Sequence, residues 1–179
     1  MVGKKQGGFF MYIADPLSRN KIRHIAHQVK CLFGLQNTLY VPVEQVLERM
    51  HLVVPDAHFE IVEYDEMGAE THGVTSVTER CIKIRTDVYE GACSGCGRDR
   101  MTIAHELGHF FLFLLYGVSF CRTTEGASLP TYRNPEWQAD CFGGEFLIDS
   151  SLVRGMSVNE VVEKCGVSSA AARCQLSKI

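Results

Sequence analysis

The stretch Thr102–Phe111 reads TIAHELGHFF, and it restricts what this chain can fold into more than any other. Apolar residues surround His105, Glu106 and His109, so the element formed here is buried on most sides. Burying two imidazoles and a carboxylate without partners costs on the order of several kcal/mol. A buried helix carrying them must therefore pair these groups or use them. His105 and His109 stand four residues apart. On a helix that offset turns about 400°, which puts both rings on one face with Cβ atoms about 5–6 Å apart. Two imidazole nitrogens so spaced can meet one Zn²⁺ at about 2.0–2.1 Å. Glu106 follows the first histidine directly, where its carboxylate reaches the water of such a site without ligating the metal. This is the H-E-x-x-H arrangement, in which the glutamate serves as general base.

A catalytic zinc needs three protein ligands and an open position. A third histidine in H-E-x-x-H-x-x-G-x-x-H is excluded, because the glycine and histidine positions hold Leu112 and Leu115. A carboxylate from a second helix is the other route, and NPEWQAD supplies one. Asn134 reads as the cap of that helix and Pro135 as its first residue, so Glu136 lies in the first turn. Asp140 follows one turn later on the same face, where it can accept the N–H of a ligating histidine and fix its tautomer. Phe142, Phe146 and Leu147 would bury the remainder of the helix. Cys121 and Glu125 sit in a stretch without a partner at useful spacing, and Glu145 lies deeper in its helix, so all three rank below Glu136.

The rest of the chain reads as α+β. Pro16–Gly34 has helical spacing, Thr38–Val41 is a short β-prone piece, and Val43–Met50 reads as a second helix. FEIVEY, GVTSVT and CIKIR suggest three strands of a small sheet, CIKIR being either an edge open to an extended substrate backbone or a purely structural strand. Gly91–Gly97 (GACSGCG) reads as a loop, with Asp99 capping a helix over roughly 100–116. The second ligand-bearing helix runs to about Ile148, and two short helices follow at Ser157–Cys165 and Ser168–Lys178. With 179 residues and no repeat or clear linker, residues 1–179 are expected to form a single domain, the helix pair 157–179 being an appendage.

Charge and cysteines limit the setting. The net charge of −3 does not advertise nucleic acid or an anionic membrane surface. No segment offers the ~18–20 apolar residues that span a bilayer. Phe9–Ala14 is too short for a signal-peptide core, so a cytoplasmic location is expected. The eight cysteines are irregularly spaced and read mostly as small buried apolar residues; Cys93 and Cys96 form an isolated C-x-x-C. Gly166-Val167-Ser168 between the last helices gives a helix-turn-helix outline, with Ala170, Arg173, Gln175 and Lys178 as the residues that would face DNA. Three cations against two acids over 157–179 make a weak basic surface, so DNA is not the expected partner.

RDRMTIAHELGHFFL followed by PEWQADCFGGEFLI resembles the bacterial and phage ImmA/IrrE-type metallopeptidases, the glutamate-ligated branch of the H-E-x-x-H enzymes. The likeness runs from the N-terminal helix through IRTDVYEGAC into VSSAAARCQLSKI. It implies a zincin-like domain with zinc on His105, His109 and Glu136, Glu106 as base and Asp140 behind a ligand. It also implies an endopeptidase whose protein substrate is a helix-turn-helix repressor, cut to derepress mobile-element or stress genes. Two positions depart from the family: Ile148-Asp149 stands where a Met-Pro pair is usual, and Cys96 where a polar residue is. For stabilising the oxyanion, His72, Tyr132 and Arg133 are candidates by type alone. The competing reading is a non-proteolytic, metal-containing regulatory protein that binds a repressor or DNA.

Overall fold

A computed structural model of the chain describes residues 9–123 and 129–179. Five strands and eight α-helices are found among them. β1 (Phe9–Ala14) leads to α1 (Arg19–Leu32), whose start is set by Ser18, the side chain of which accepts from Lys21 N at 3.3 Å. Ile22, Ile25, Ala26 and Val29 form its buried stripe, the face that helical spacing predicts. α2 (Val43–Glu48) ends earlier than expected, and the chain tightens into a 3₁₀ turn over Met50–Leu52.

The anticipated strand at Thr38–Val41 does not form. Its carbonyls are taken by side chains instead: Lys30 donates to Thr38 O at 3.3 Å and Arg100 to Val41 O at 2.9 Å.

The three-stranded sheet holds β2 (His58–Val62), β3 (Gly73–Ser76) and β4 (Cys81–Arg85), with the one-turn α3 (Tyr64–Met67) after β2. The order is β2-β4-β3, with β2 parallel and β3 antiparallel to β4. CIKIR is therefore the centre of the sheet and not an edge. Its Ile82 and Ile84 are fully buried, and a strand buried so deeply takes partners on both sides. β2 and β3 are the two edge strands, and β3 lies on the side of the histidine-bearing helix.

GACSGCG is only partly a loop. α4 (Thr86–Cys93) runs through Gly91, and α5 (Gly97–Tyr116) begins at Gly97. Asp99 does not cap α5: Cys96 holds the N-cap position, and Asp99 sits in the first turn against Gly91. A Cβ on Gly91 would run into that carboxylate, so the glycine read as a loop signal is a packing requirement between helices. α5 is followed by β5 (Val118–Thr123), which pairs antiparallel with β1. That pairing joins segments more than a hundred residues apart, and neither was read as a strand.

α6 (Pro135–Leu147) starts as the sequence predicts, with Pro135 at its first turn and Asn134 Oδ1 accepting from Glu136 N at 2.9 Å. Phe142, Phe146 and Leu147 are buried to within 1% of completely. α6 lies along α5 and α1, and Ile148-Asp149 closes it, with Asp149 accepting from the Ser151 backbone and hydroxyl. α7 (Val158–Cys165) carries a capping box from Ser157 and Glu160, and α8 (Ser169–Leu176) follows Gly166 in the left-handed conformation. Val161, Cys165 and Ala172 from these helices join the same apolar cluster as Phe110 and Phe142. Arg100, fully buried, ties them down by donating to Gly166 O and Cys165 O while its guanidinium stacks on Tyr40 at 3.8 Å. Gln175 is buried and accepts from Arg19, so it does not face outward as a DNA-reading residue would.

The described cysteines are free thiols. Cys81, Cys141 and Cys165 are buried, but Cys31, Cys93, Cys96 and Cys174 are exposed, so most are not core residues. No helix among the described residues is long and apolar enough to cross a membrane.

Candidate metal centre

α5 presents His105 and His109 on one face, with ring centroids 4.6 Å apart. α6 brings Glu136 over them. His105 Nε2 lies 3.3 Å from Glu136 Oε2, and His109 Nε2 lies 3.4 Å from Glu136 Oε1. One donor atom from each of the three residues falls within 4.8 Å of the others. Ligands held about 2.0–2.1 Å from a tetrahedral ion stand about 3.3–3.4 Å from one another. The two histidine–carboxylate spans fit that edge, so the three residues form a group that could hold a metal ion. Nδ1 of His109, the ring nitrogen that does not face Glu136, is buried with no hydrogen-bond partner.

The surroundings fix each donor. Asp140 Oδ1 accepts from His105 Nδ1 at 2.8 Å, which leaves Nε2 of that ring turned toward Glu136. Burial opposes the charged form of His105, but hydrogen bonds to Asp140 and Glu136 outweigh it and push its pKa up to about 10. The same contacts from His105 and His109 hold the Glu136 carboxyl far below the usual carboxylate range. The entry of α6 is clamped by Gln138, whose Nε2 donates to Asp15 O at 2.7 Å and to Tyr132 O at 2.8 Å.

Two glycines absent from the sequence reading set how closely the helices meet. A Cβ on Gly108, inside HELGH, would stand 3.1 Å from the Ala139 Cα and carbonyl of α6. A Cβ on Gly143 would stand 3.4 Å from His105 N. Both positions read as ordinary helix residues until α5 and α6 are placed side by side.

Glu106 is not one of the three grouped donors, and its carboxylate meets β3. Thr75 Oγ1 donates to Glu106 Oε2 at 2.7 Å. A cavity of about 400 Å³ opens beside Glu106 and His105, with Gly73, His72, Arg98 and Met101 among its walls. Of the three oxyanion candidates, His72 lines this cavity, and Tyr132 and Arg133 do not. Glu145 is remote from the cluster, its buried carboxylate held by Arg19 at 2.9 Å and Arg23 at 2.8 Å. Glu125 lies outside the described residues, as does the side chain of Cys121. A second group, His58, Glu60 and Cys81, also meets by distance. There Lys83 Nζ sits 2.8 Å from Glu60, so a fixed cation already occupies that carboxylate.

The sequence profile of the peptidase family described as the IrrE N-terminal-like domain matches residues 57–177, well over half of the chain. The chain belongs to this family. The match spans both the helix with the two histidines and the helix with Glu136, so the IrrE-like peptidase region contains the whole cluster. No curated protein matches the chain. Among solved structures, a transcriptional regulator of Mycobacterium tuberculosis is similar in fold, with a TM-score of 0.58 at 12% identity. The likeness covers 88% of this chain and 46% of the regulator, so the chain spans less than half of that protein's length. The α+β, zincin-like architecture expected of an IrrE-like peptidase agrees with these findings.

Proposed function

We propose that this member of the IrrE-like peptidases is a zinc-dependent endopeptidase of a helix-turn-helix repressor, with residues 1–179 acting as one metallopeptidase domain. The observation that carries the reading is the position of Glu136, 3.3 and 3.4 Å from two histidine nitrogens while Glu106 stays outside the trio. His105, His109 and Glu136 would hold the ion. Zinc, when bound, supplies a Lewis acid that polarises a peptide carbonyl and makes water acidic enough to attack near neutral pH.

The chain's own residues do the rest. Glu106 takes the proton of the attacking water and returns it to the leaving amine. Asp140, by accepting from His105 Nδ1, would leave the Nε2 of that ring free to hold the ion. Phe110, Leu107 and Ile103, fully buried on the other sides of α5, leave one face of the helix for the site. The free edge of β3 beside Glu106 suits an extended backbone, one of the two roles open to CIKIR in the sequence. A setting in gene control agrees with the fold shared with a transcriptional regulator. With thiols rather than disulfides among its described cysteines, a cytoplasmic location fits.

The test is zinc stoichiometry of the purified protein, with cleavage of a helix-turn-helix repressor from the same source by wild type and Glu106→Gln. One zinc per chain, cleavage by wild type, and a loss of about 10²- to 10⁴-fold in the variant are expected. Failure to take up zinc after reconstitution defeats the site. Tight binding of the repressor by both proteins with cleavage by neither replaces the peptidase with a regulatory binding protein.

A further inference from the structure

Glu106 has a partner on another element. It is 7% exposed, and its carboxylate meets β3 through two residues on the same face of that strand. Thr75 Oγ1 lies 2.7 Å from Glu106 Oε2 and 3.1 Å from the Glu106 carbonyl oxygen. The hydroxyl has one proton to give, and the shorter contact goes to the charged acceptor, in the range of about 2.5–2.7 Å typical of such bonds. Two residues earlier, Gly73 leaves the space that the carboxylate fills. A methyl group there would stand 2.7 Å from Glu106 Cγ and 3.2 Å from Oε1. Oε2 is therefore held by the strand, and Oε1 lies over Gly73, where Gly73 and Glu106 both line the cavity.

Resting on the peptidase reading above, we propose that Thr75 is a positioning residue: it tethers Oε2 of Glu106 so that Oε1 is the atom presented to the cavity. The tether is stiff, because a β-branched side chain in a strand has few χ1 options and Thr75 is paired in register with Ile82. Water's proton then goes to Oε1 and from there to the leaving amine, while Thr75 keeps its own proton throughout. Gly73 is the complementary half of the device, since any side chain there would push the carboxylate off this position.

The experiment uses the zinc-loaded full chain with Thr75→Val, Thr75→Ser and Gly73→Ala, and the same repressor as substrate. Thr75→Val is expected to lower kcat by about 10- to 100-fold with KM and zinc content unchanged. Thr75→Ser, which restores the hydroxyl, is expected to recover most of that loss, and Gly73→Ala to lower kcat like the valine variant. Infrared difference spectra, with Glu106 bands assigned by their absence in Glu106→Gln, should show a shifted carboxylate stretch in Thr75→Val and none in Thr75→Ser. An unshifted stretch, a valine variant within about twofold of wild type, or equal losses in the valine and serine variants overturns the tether. A shifted stretch in Thr75→Val, found where wild type itself cleaves nothing, leaves the tether standing and defeats the peptidase reading instead.

Discussion

Asp140 reaches the proposed metal site through the ring of His105. Its oxygen holds His105 Nδ1 at 2.8 Å, yet its side chain is 74% exposed, so little packing depends on it. Asp140→Asn should therefore weaken zinc binding by about 10- to 100-fold while leaving the unfolding midpoint of the metal-free protein almost unchanged. Competition against a chelator measures the first quantity and urea denaturation the second; a large loss of stability would mean that Asp140 is structural. That His105 and His109 share one helix face, and Glu136 and Asp140 another, was legible in the sequence, because offsets of four residues on a helix dictate a shared face. Thr75 and Gly73 were not. GVTS announces a strand, but nothing local says that alternate residues of it will meet a glutamate some thirty positions later.

At the scale of elements, the site depends on how near α6 comes to α5. Gly108 faces backbone atoms of Ala139 at 3.1 Å, and backbone cannot swing aside as a flexible side chain would. Gly108→Ala should thus push the helices apart by a few tenths of an ångström, cost about 1–3 kcal/mol, and weaken zinc binding by displacing Glu136. A variant that loses stability but binds zinc like wild type would disconnect the helix spacing from the site. The α6 start was readable because Asn134-Pro135 is a local signal that acts within one turn. Of the two roles open to CIKIR the structure selects the structural one, which sequence could not do because a short buried strand looks alike at an edge and in the middle of a sheet. GACSGCG failed for a related reason, since the small residue at Gly91 answers Asp99 of the next helix and not a turn.

Across the whole molecule, α1 is bound to α6 through charges that sequence spacing does not reveal. Glu145, with no exposed side-chain area, takes Arg19 and Arg23, and Lys30, 1% exposed, takes Asp149 at 3.1 Å. Asp149→Asn would leave the Lys30 ammonium buried against a neutral partner, and a loss of about 3 kcal/mol is expected at neutral pH. Burial raises the Asp149 pKa, but hydrogen bonds from Ser151 and the Lys30 charge outweigh it and hold the carboxyl below its ordinary value. A group with a depressed folded pKa stabilises above its unfolded pKa, about 3.9, and ceases to do so as pH falls through the folded value. Wild type and Asp149→Asn should therefore differ in urea denaturation at pH 7 and converge as the pH drops below about 4. A gap of constant size over that range would show that the ion pair is not its source.

The sequence by itself determined the local geometry of the chemistry: two imidazoles on one face of α5, a capped helix start that puts Glu136 in its first turn, and Asp140 a turn behind it. These follow from backbone periodicity, which acts over three or four residues. The tertiary structure alone decided the 3.3 and 3.4 Å spans between helices, the placement of β3 against Glu106, and the pairing of β1 with β5. Such distances come from packing between segments far apart in the chain, where a missing Cβ on Gly73, Gly91 or Gly108 matters only once its neighbour is in place.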